Sequence, residues 1–418
     1  MEKKLSTESY KGTRDFYPAD MAVQRYIFDT WAKTAESYGF ERYDASILEP
    51  SELYKSKGVE NEELVNEQTY TFIDRGDREV TLRPEMTPTV ARMVAGKRRD
   101  LHFPVRWYSI PNLFRYERPQ RGRLREHWQL NCDMFGIDHY SADVEMIALA
   151  YHTLIAFGAT PDMFQIHIND RRDMKEFYAS FDITDEHIIS EMTRLNDRKN
   201  KITPDEYLNQ LASITGGVEK ATILAEALTA PVPSNVLVNA LRALGISNST
   251  VNRTISRGFD YYTGTIFEVF DTSPENNRSL LGGGRYDNLT SLFGGDPISG
   301  MGFGMGDVTM RDFLETHNLL KENVPNTAPT LVIIPLNDTL NIEGEKIAQE
   351  FRNAGIRVSV DISGRKSDRK KVSAEKMGAP YILLLDDTSH TTKQYTLKQL
   401  TTHETKTDFI PELIKYIA

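Results

Sequence analysis

Between residues 114 and 129 the chain carries five arginines, although its formal net charge is −10. Apolar stretches typical of strands lie on either side, at residues 105–110 and 128–135, and Pro119 and Gly122 between them are typical of a turn. The pattern predicts a β-hairpin. Because arginine binds phosphate through paired hydrogen bonds and keeps its charge, such a hairpin in an acidic protein indicates a local anion site. A solvated basic hairpin is the alternative interpretation.

Composition limits the kinds of protein that this chain can be. Its 418 residues allow two or three domains, and 39% apolar with 26% charged residues is typical of a soluble globular protein. Cys132 is the only cysteine, which excludes an internal disulfide and a multi-cysteine zinc site and fits a reducing cytoplasm. The sequence predicts no secretory signal, no membrane span and no metal site built by the protein alone. With a pI near 5.5, any nucleic acid must be bound by local basic patches.

The periodicity of apolar residues indicates an α+β fold for roughly the first three quarters of the chain. Helices are predicted at residues 18–38 and 141–157, and strands at residues 40–48, 164–168 and 265–270. Residues 171–249 have a helical, polar pattern and are interpreted as an inserted subdomain.

The last quarter of the chain has a different pattern. Residues 323–329 have the composition of a linker. After it, strands are predicted at residues 331–334, 356–360 and 381–385, with a helix between the first two. This alternation indicates a small α/β domain whose sheet contains parallel strands.

Residues 81–88, TLRPEMTP, are predicted to form an extended segment that leads into a helix, because Pro84 and Pro88 keep it out of regular helix. On extended backbone Glu85 and Thr87 project to the same side. A carboxylate beside a hydroxyl suits an ammonium group. The alternative is that Glu85 is a charge at a helix N-terminus.

The strand that leaves the arginine hairpin has a polar face. Gln129, Asn131 and Asp133 alternate with apolar residues and therefore share one side of the strand. They are interpreted as the floor of a polar pocket, with solvent exposure on the outer face of a sheet as the alternative.

Two further segments combine glycine with aromatic residues. Residues 257–264, RGFDYYTG, place paired tyrosines between glycines, which suits either an aromatic-walled pocket or a buried turn. Residues 282–287 and 300–306 are glycine-rich, but neither has the spacing of a dinucleotide fold or a P-loop. Strand glycines at every second position leave one sheet face clear for a flat or bulky ligand.

Taken in this order, the segments resemble class II aminoacyl-tRNA synthetases and, within them, the histidyl-tRNA synthetase family. Residues 11–18, KGTRDFYP, resemble the family's N-terminal signature, and the helix and strand that end at Pro50 resemble motif 1. Residues 114–117 with the hairpin resemble motif 2. The segments 257–264 and 284–287 resemble the two signatures that are specific to the histidine enzymes.

The resemblance covers nearly the whole chain and implies its architecture. Residues 1–325 would form a catalytic α+β domain on an antiparallel sheet, with the helical insertion at about 171–249. Residues 326–418 would form an α/β anticodon-binding domain. The implied reaction joins L-histidine and ATP to histidyl-adenylate, with Mg²⁺ on the triphosphate, and then transfers the histidyl group to the 3′ end of tRNA(His).

The resemblance also assigns roles to individual residues. Those implied to bind histidine are Glu85, Met86, Thr87, Gln129, Asp133, Tyr261, Tyr262 and Tyr286. Those implied to bind ATP are Arg115, Arg123 and Arg257, and Arg115 and Arg257 are the implied catalytic residues. A pocket that hydrogen-bonds both imidazole nitrogens rejects other side chains by a factor of about 10⁴–10⁵ without editing, so the insertion is not expected to be an editing domain.

Two positions depart from the family pattern. Asp133 stands where many members have glutamate, and Thr309 stands where motif 3 usually carries an arginine that binds the γ-phosphate. Arg311 is two helical positions further on and so points to another face. This departure leaves a second function open, that of a catalytically inactive regulatory subunit of histidine biosynthesis.

The remaining predictions concern partners. A homodimer is expected, because motif 1 lies at the dimer interface in the family. The residues predicted to bind tRNA are Gln120, Arg121 and Arg125 in the hairpin and Arg365, Lys366 and Arg369 in the C-terminal basic run. A solvated helix face is the alternative for that run.

Overall fold

A computed structural model describes residues 5–56, 68–199, 202–232, 234–256, 261–276, 278–320 and 324–417. The chain divides into two compact units, Met1–Val324 and Pro325–Ala418. Within the described ranges, no helix combines the length and the apolar character that crossing a bilayer requires.

The elements of the first unit alternate irregularly between helix and strand. Its helices are α1 (Pro18–Ser37), α2 (Glu52–Lys55), α3 (Thr87–Lys97), α4 (Tyr140–Ala156), α5 (Arg171–Ala179), α6 (Glu186–Asp197), α7 (Pro204–Thr215), α8 (Val218–Thr229), α9 (Val236–Ala243) and α10 (Asp307–Thr316), with a 3₁₀ turn at Leu289–Phe293. Its strands are β1 (Glu41–Arg42), β2 (Leu48–Pro50), β3 (Tyr70–Ile73), β4 (Glu79–Leu82), β5 (Val105–Ser109), β6 (Asn112–Phe114), β7 (Glu126–Phe135), β8 (Phe164–Asp170), β9 (Ser249–Val251), β10 (Thr265–Asp271), β11 (Ser279–Arg285) and β12 (Gly300–Gly306).

A nine-stranded sheet organises this unit, in the order β1-β5-β7-β12-β11-β10-β8-β9, with β6 paired to β7. All pairings from β5 across to β8 are antiparallel, and only the edge pairs β1–β5 and β8–β9 are parallel. The strands β2, β4 and β3 form a second, smaller sheet. The predicted antiparallel α+β domain is confirmed.

Helices α1, α4 and α10 cover one face of the large sheet and form its main core. Trp31, Ile147 and Phe313, one from each helix, are fully buried there against sheet residues such as Phe267. A second core on the other face contains the tyrosines of the predicted pocket. The polar face of β7 therefore lies inside the molecule, and its alternative interpretation as a solvated surface is wrong.

Two local predictions differ from the structure. Residues 40–48 form no single strand: β1 and β2 pair in different sheets. Met86 has helical backbone angles and α3 begins at Thr87, so Pro88 lies in the first turn of the helix rather than preventing it. Proline is tolerated there because the first amides of a helix need no intrahelical partner.

The helical insertion has a core of its own, formed by side chains from Met174 to Leu228. Helix α9, which the prediction includes in the insertion, instead packs Leu237 and Leu241 into the main core. The insertion contacts the catalytic body directly, because Ser256 Oγ donates to the carbonyl oxygen of Thr193 at 2.8 Å.

The second unit is an α/β domain. Its helices are α11 (Asn341–Asn353), α12 (Ser367–Lys376), α13 (Asp387–Thr392) and α14 (Ile410–Ile417), and its strands are β13 (Leu331–Pro335), β14 (Val358–Val360), β15 (Tyr381–Leu385), β16 (Tyr395–Gln399) and β17 (Thr405–Asp408). The sheet order is β14-β13-β15-β16-β17. Strand β13 pairs in parallel with both of its neighbours, which confirms the predicted parallel component.

Candidate active site

The arginine segment forms the predicted hairpin. β7 pairs with β5 and with β6, and the tip closes through backbone hydrogen bonds between Gln120 and Arg123 in both directions, at 3.1 and 2.9 Å. Gly122 has φ +75°, a conformation that suits glycine because it lacks a Cβ. Arg115 and Arg123 line one cavity. Arg118 and Arg121 are exposed, and Arg125 is buried in contact with Tyr10 and Tyr116.

This cavity, which we call the phosphate cavity, has a volume of about 240 Å³. Its wall includes Arg115, Glu117, Arg123, His127, Gln129, Glu268, Gly282, Gly304, Gly306 and Thr309. Arg115 Nε donates to the carbonyl oxygen of Pro84 at 2.8 Å, and Arg123 pairs with Glu117 at 3.2 Å. The bond to Pro84 fixes the segment that carries Glu85 beside the cavity.

A cluster of buried tyrosines and carboxylates lies beside the phosphate cavity. The Tyr261 hydroxyl donates to Glu85 Oε2 at 2.9 Å, and the Tyr286 hydroxyl donates to Asp133 Oδ1. The rings of Tyr261 and Tyr262 lie 4.8 Å apart, and that of Tyr261 meets Tyr286 edge to face at 5.9 Å. All five side chains are buried, so this cluster combines apolar walls with two carboxylates.

Strand glycines make room for these side chains. A Cβ on Gly302 would lie 2.5 Å from Asp133 Oδ1 and 2.6 Å from the Tyr286 hydroxyl, and a Cβ on Gly304 would lie 2.5 Å from Gln129 Nε2. The alternating glycines therefore clear space for the polar side chains of the site, as well as lining the phosphate cavity. Gln129 lines the phosphate cavity and lies against Gly304, so it connects this cavity with the cluster of tyrosines and carboxylates.

Asp133 carries an unsatisfied buried oxygen. Within the described residues, its Oδ2 has no hydrogen-bond partner, and neither has Asn131 Oδ1 on the same face of β7. Buried polar atoms almost always have partners, so these two acceptors indicate a bound group that donates hydrogen bonds. Burial raises the pKa of Asp133 to about 7, the negative charge of Glu85 adds to this rise, and the Tyr286 hydroxyl opposes it.

This raised pKa predicts a pH-dependent stability. In the unfolded chain the pKa of Asp133 lies near the ordinary value of 3.8, whereas in the folded chain the side chain holds its proton up to about pH 7. The stability that Asp133 contributes is therefore complete below its pKa in the unfolded chain, and it is lost as the pH rises through its pKa in the folded chain. Asp133→Asn removes that loss, so between pH 5 and pH 7 the variant should gain about 2 kcal/mol in free energy of unfolding relative to the wild type. Urea unfolding of the ligand-free proteins at each pH measures it, and a pH-independent difference would contradict the assignment.

The structure brings together most, but not all, of the predicted site residues. Met86 is buried and Thr87 opens α3, next to Glu85 in the chain. Arg257, with residues 258–260, lies outside the described residues. Arg125 is buried, its guanidinium stacks 3.8 Å from the Tyr116 ring, and Nη1 donates to the Tyr10 hydroxyl at 3.0 Å. These contacts hold the N-terminal segment on the hairpin and leave Arg125 little surface for a nucleic acid.

The other predicted tRNA-binding residues are exposed. Gln120 and Arg121 lie at the hairpin tip, where Arg121 Nη2 donates to Asn276 Oδ1 at 2.9 Å. In the second unit Arg365, Lys366 and Arg369 are exposed at the start of α12, whereas Lys370 is buried and donates to the carbonyl oxygen of Asp361 at 2.8 Å. The predicted binding residues of the basic run are therefore exposed, whereas Lys370 is buried and stabilises the domain.

Sequence reasoning missed three residues at the site. His127 lines the phosphate cavity, and burial, with Arg115 and Arg14 nearby, lowers its pKa to about 3, so its imidazole is neutral at pH 7. Glu268 lines the same cavity. Arg285 is buried, and its bidentate ion pair with Asp143, at 2.6 and 3.1 Å, fixes the strand end that carries Tyr286. The alternation in residues 126–135 is the sequence signal for His127 and the GGGRYD run is that for Arg285, whereas Glu268 lies in neither segment.

Comparisons with known proteins agree with this geometry. A family model described as histidyl-tRNA synthetase matches residues 12–307, and one described as anticodon binding domain matches residues 330–418. The histidine–tRNA ligase of Leptospira biflexa is 43% identical over 435 aligned residues, covering 100% of this chain and 98% of the relative. That of Thermoplasma volcanium is 34% identical, covering 99% of each chain. The crystal structure of histidyl-tRNA synthetase from Nostoc sp. PCC 7120 has the same fold, with a TM-score of 0.82 at 22% identity and 99% coverage of each chain.

An antiparallel sheet that places a buried cluster of carboxylates and tyrosines beside an arginine-lined cavity, followed by a domain that matches an anticodon-binding family, defines an aminoacyl-tRNA synthetase of class II. The family within that class follows from the full-length matches. The chain belongs to the histidyl-tRNA synthetase family.

Proposed function

We propose that the protein is a histidine–tRNA ligase. The carboxylate of L-histidine attacks the α-phosphorus of ATP, which gives histidyl-adenylate and releases pyrophosphate. A hydroxyl of the terminal ribose of tRNA(His) then attacks the histidyl carbonyl and releases AMP. The observation that carries this proposal is the pair of buried acceptors on β7, beside the phosphate cavity, that find no hydrogen-bond partner among the described residues.

The amino-acid half of the site suits histidine. We assign Glu85, Thr87 and Gln129 to the α-ammonium group, because a buried carboxylate with polar neighbours stabilises a cation. Asp133 and Tyr286 face the imidazole, whose N–H group satisfies Asp133 Oδ2, and Tyr261 and Tyr262 form the walls. A side chain that brings no hydrogen-bond donor to that place would leave that oxygen unpaired, which is the physical basis of selection.

The phosphate half of the site suits ATP. We assign Arg115 to the α-phosphate, Arg123 to the outer phosphates and Arg257 to the charge that develops between the carboxylate and the α-phosphate. The described residues contain no cluster of three or more potential metal ligands. Magnesium commonly binds through phosphates with one or two carboxylates, and Glu117 and Glu268 line the cavity, so they are the candidates to hold Mg²⁺ on the triphosphate.

The surfaces for tRNA lie on both units. We assign Gln120 and Arg121 to the acceptor end and Arg365, Lys366 and Arg369 to phosphates of the anticodon arm. The exposure of these side chains supports the assignment. Phosphate contacts of this kind make affinity fall steeply with salt.

We also propose that the protein is a cytoplasmic homodimer. The small sheet exposes apolar side chains that a monomer would leave in water: Ile47 is 41%, Leu48 45%, Phe72 47% and Ile73 60% exposed. Exposed apolar patches of this kind mark interaction surfaces. Gel filtration with light scattering at micromolar concentration should give about twice the chain mass of 47.7 kDa, and a monomer would argue against the proposal.

Histidine-dependent exchange of pyrophosphate into ATP tests the proposed reaction. The protein should catalyse exchange only when histidine is present, and it should charge tRNA(His). The inactive regulatory subunit that the sequence left open would catalyse neither step. The full-length relatives named as histidine–tRNA ligases, and the anticodon-binding domain, favour the enzyme.

A further inference from the structure

Thr309 stands in a wall that the phosphate cavity shares with a second, smaller cavity of about 40 Å³. Gly122, Leu280 and Thr309 line both cavities. The Thr309 hydroxyl donates to the carbonyl oxygen of Leu280 at 3.2 Å, so it is used within the protein. This wall therefore offers no positive charge of its own to a phosphate group.

Arg278 lies in the smaller cavity, directly before β11. Its aliphatic stem packs against the hairpin tip, because a Cβ placed on Gly122 would lie 2.9 Å from Arg278 Cδ and 3.4 Å from Thr309 Cγ2. The side chain thus passes beside Gly122 and Thr309, which line both cavities, whereas Arg278 itself lines the smaller one.

Nearby negative charge compensates the guanidinium of Arg278 only in part. Within the described part of the chain, its guanidinium makes no hydrogen bond and no ion pair. Partial burial and then the positive charge of Arg123 lower the pKa of Arg278, whereas Glu117 raises it. An arginine stays protonated all the same. Glu117 pairs with Arg123, and of the two carboxylates that line the smaller cavity, Asp312 lies 4.0 Å from Arg121, while Arg278 forms no ion pair with any described residue. A guanidinium without an ion pair beside a cavity is stabilised by a bound anion.

Other arginines near Thr309 are already paired. Arg121 lies 4.0 Å from Asp312 Oδ2 and donates to Asn276 Oδ1 at 2.9 Å. Arg311 pairs with Asp20 at 3.2 Å and with Glu315 at 2.8 Å, and it does not line the phosphate cavity. Among these described arginines, Arg278 is the one that forms no ion pair.

We propose that Arg278 binds the outer phosphates of ATP and supplies the positive charge that Thr309 lacks. This inference rests on the proposed function and names a residue of the same site. The segment that carries Arg278 is anchored, because Asn276 Nδ2 donates to Asp271 Oδ2 at 2.6 Å and to Thr316 Oγ1 at 3.1 Å. Arg278 and Arg123 would then hold the leaving pyrophosphate from two sides of the hairpin tip.

The test compares the binding of ATP and AMP by calorimetry, because AMP lacks the outer phosphates. Arg278→Gln should weaken ATP binding by about tenfold to a hundredfold and leave AMP binding unchanged, whereas Arg278→Lys should keep part of the preference for ATP. Arg311→Gln is the matched control, since it removes a nearby arginine outside the cavity, and it should change neither affinity. Thermal unfolding shows whether each variant keeps its fold.

A charge-relocation variant sharpens the test. In the Arg278→Gln background, Thr309→Arg places a guanidinium on the shared wall and should restore a preference for ATP over AMP. Equal losses of ATP and AMP affinity in Arg278→Gln, or no loss at all, would overturn the proposal. The proposed function fails separately, if the wild type catalyses no histidine-dependent exchange while its preference for ATP still depends on Arg278.

Discussion

Replacing Asp143 by asparagine is expected to lower the free energy of unfolding by about 3 kcal/mol, because it removes the closest counterion of the buried Arg285, which keeps only longer pairs with Asp287 at 3.4 Å and Asp138 at 3.9 Å. Arg285 is 2% exposed and Asp143 is 1% exposed, and two hydrogen bonds at 2.6 and 3.1 Å join them. An asparagine has the same shape but carries no charge, and its NH₂ group would face another donor. Since Arg285 directly precedes Tyr286, the variant should also bind histidine more weakly.

Glu145, two residues further along α4, offers a matched control. It pairs with Arg106 in the same bidentate manner, but the two side chains are 30% and 27% exposed. Glu145→Gln should therefore cost only about 0–1 kcal/mol. Tryptophan fluorescence in a urea titration measures both variants, because Trp31, Trp107 and Trp128 all lie in the first unit. Equal losses would show that burial does not set the strength of the Arg285 pair.

Arg115→Gln is expected to lower kcat for histidine-dependent exchange by about 10²–10³-fold, the usual effect of removing a preorganised charge from a reacting centre. Arg115 lines the phosphate cavity and also holds the carbonyl oxygen of Pro84 at 2.8 Å. In the proposed assignment, the substitution removes a positive charge next to the α-phosphate, and it loosens the segment that carries Glu85. Both consequences act on the step in which the carboxylate meets the α-phosphorus.

The control for Arg115 is again Arg311→Gln, an arginine with protein partners and no place in the cavity wall. It should retain exchange within about a factor of two to three of the wild type, as surface ion pairs contribute little. A similar, large loss in both variants would mean that general destabilisation, rather than the charge at the α-phosphate, explains the Arg115 result.

Much of the site was predictable because its residues fall into short periodic segments. The alternation of Gln129, Asn131 and Asp133 fixed their common face, and the turn at Gly122 required only the local signals of proline and glycine. The long helices α1 and α4 were found within about two residues for the same reason.

Contacts between distant segments were not predictable. Residues 40–48 are too short and too polar for their pattern to reveal two strands in separate sheets. Helix α9 looks like its neighbours in the insertion, and only tertiary packing places Leu237 and Leu241 in the main core. Arg278 belongs to no motif, and its proximity to Thr309 depends on strand pairing across the whole sheet.

The carboxylate of Asp307 joins three parts of the chain that are far apart in sequence. It accepts hydrogen bonds from Arg14 at 2.6 Å, Gln24 at 3.0 Å and the backbone amide of Trp128 at 2.9 Å, and it is fully buried. A glutamate would be one methylene too long for this space, and an asparagine would lose the charge that Arg14 needs. Across evolution, Asp307 should therefore vary together with Arg14 and Gln24 or not at all. A change of Asp307 alone would release the N-terminal segment and helix α1 from the start of helix α10.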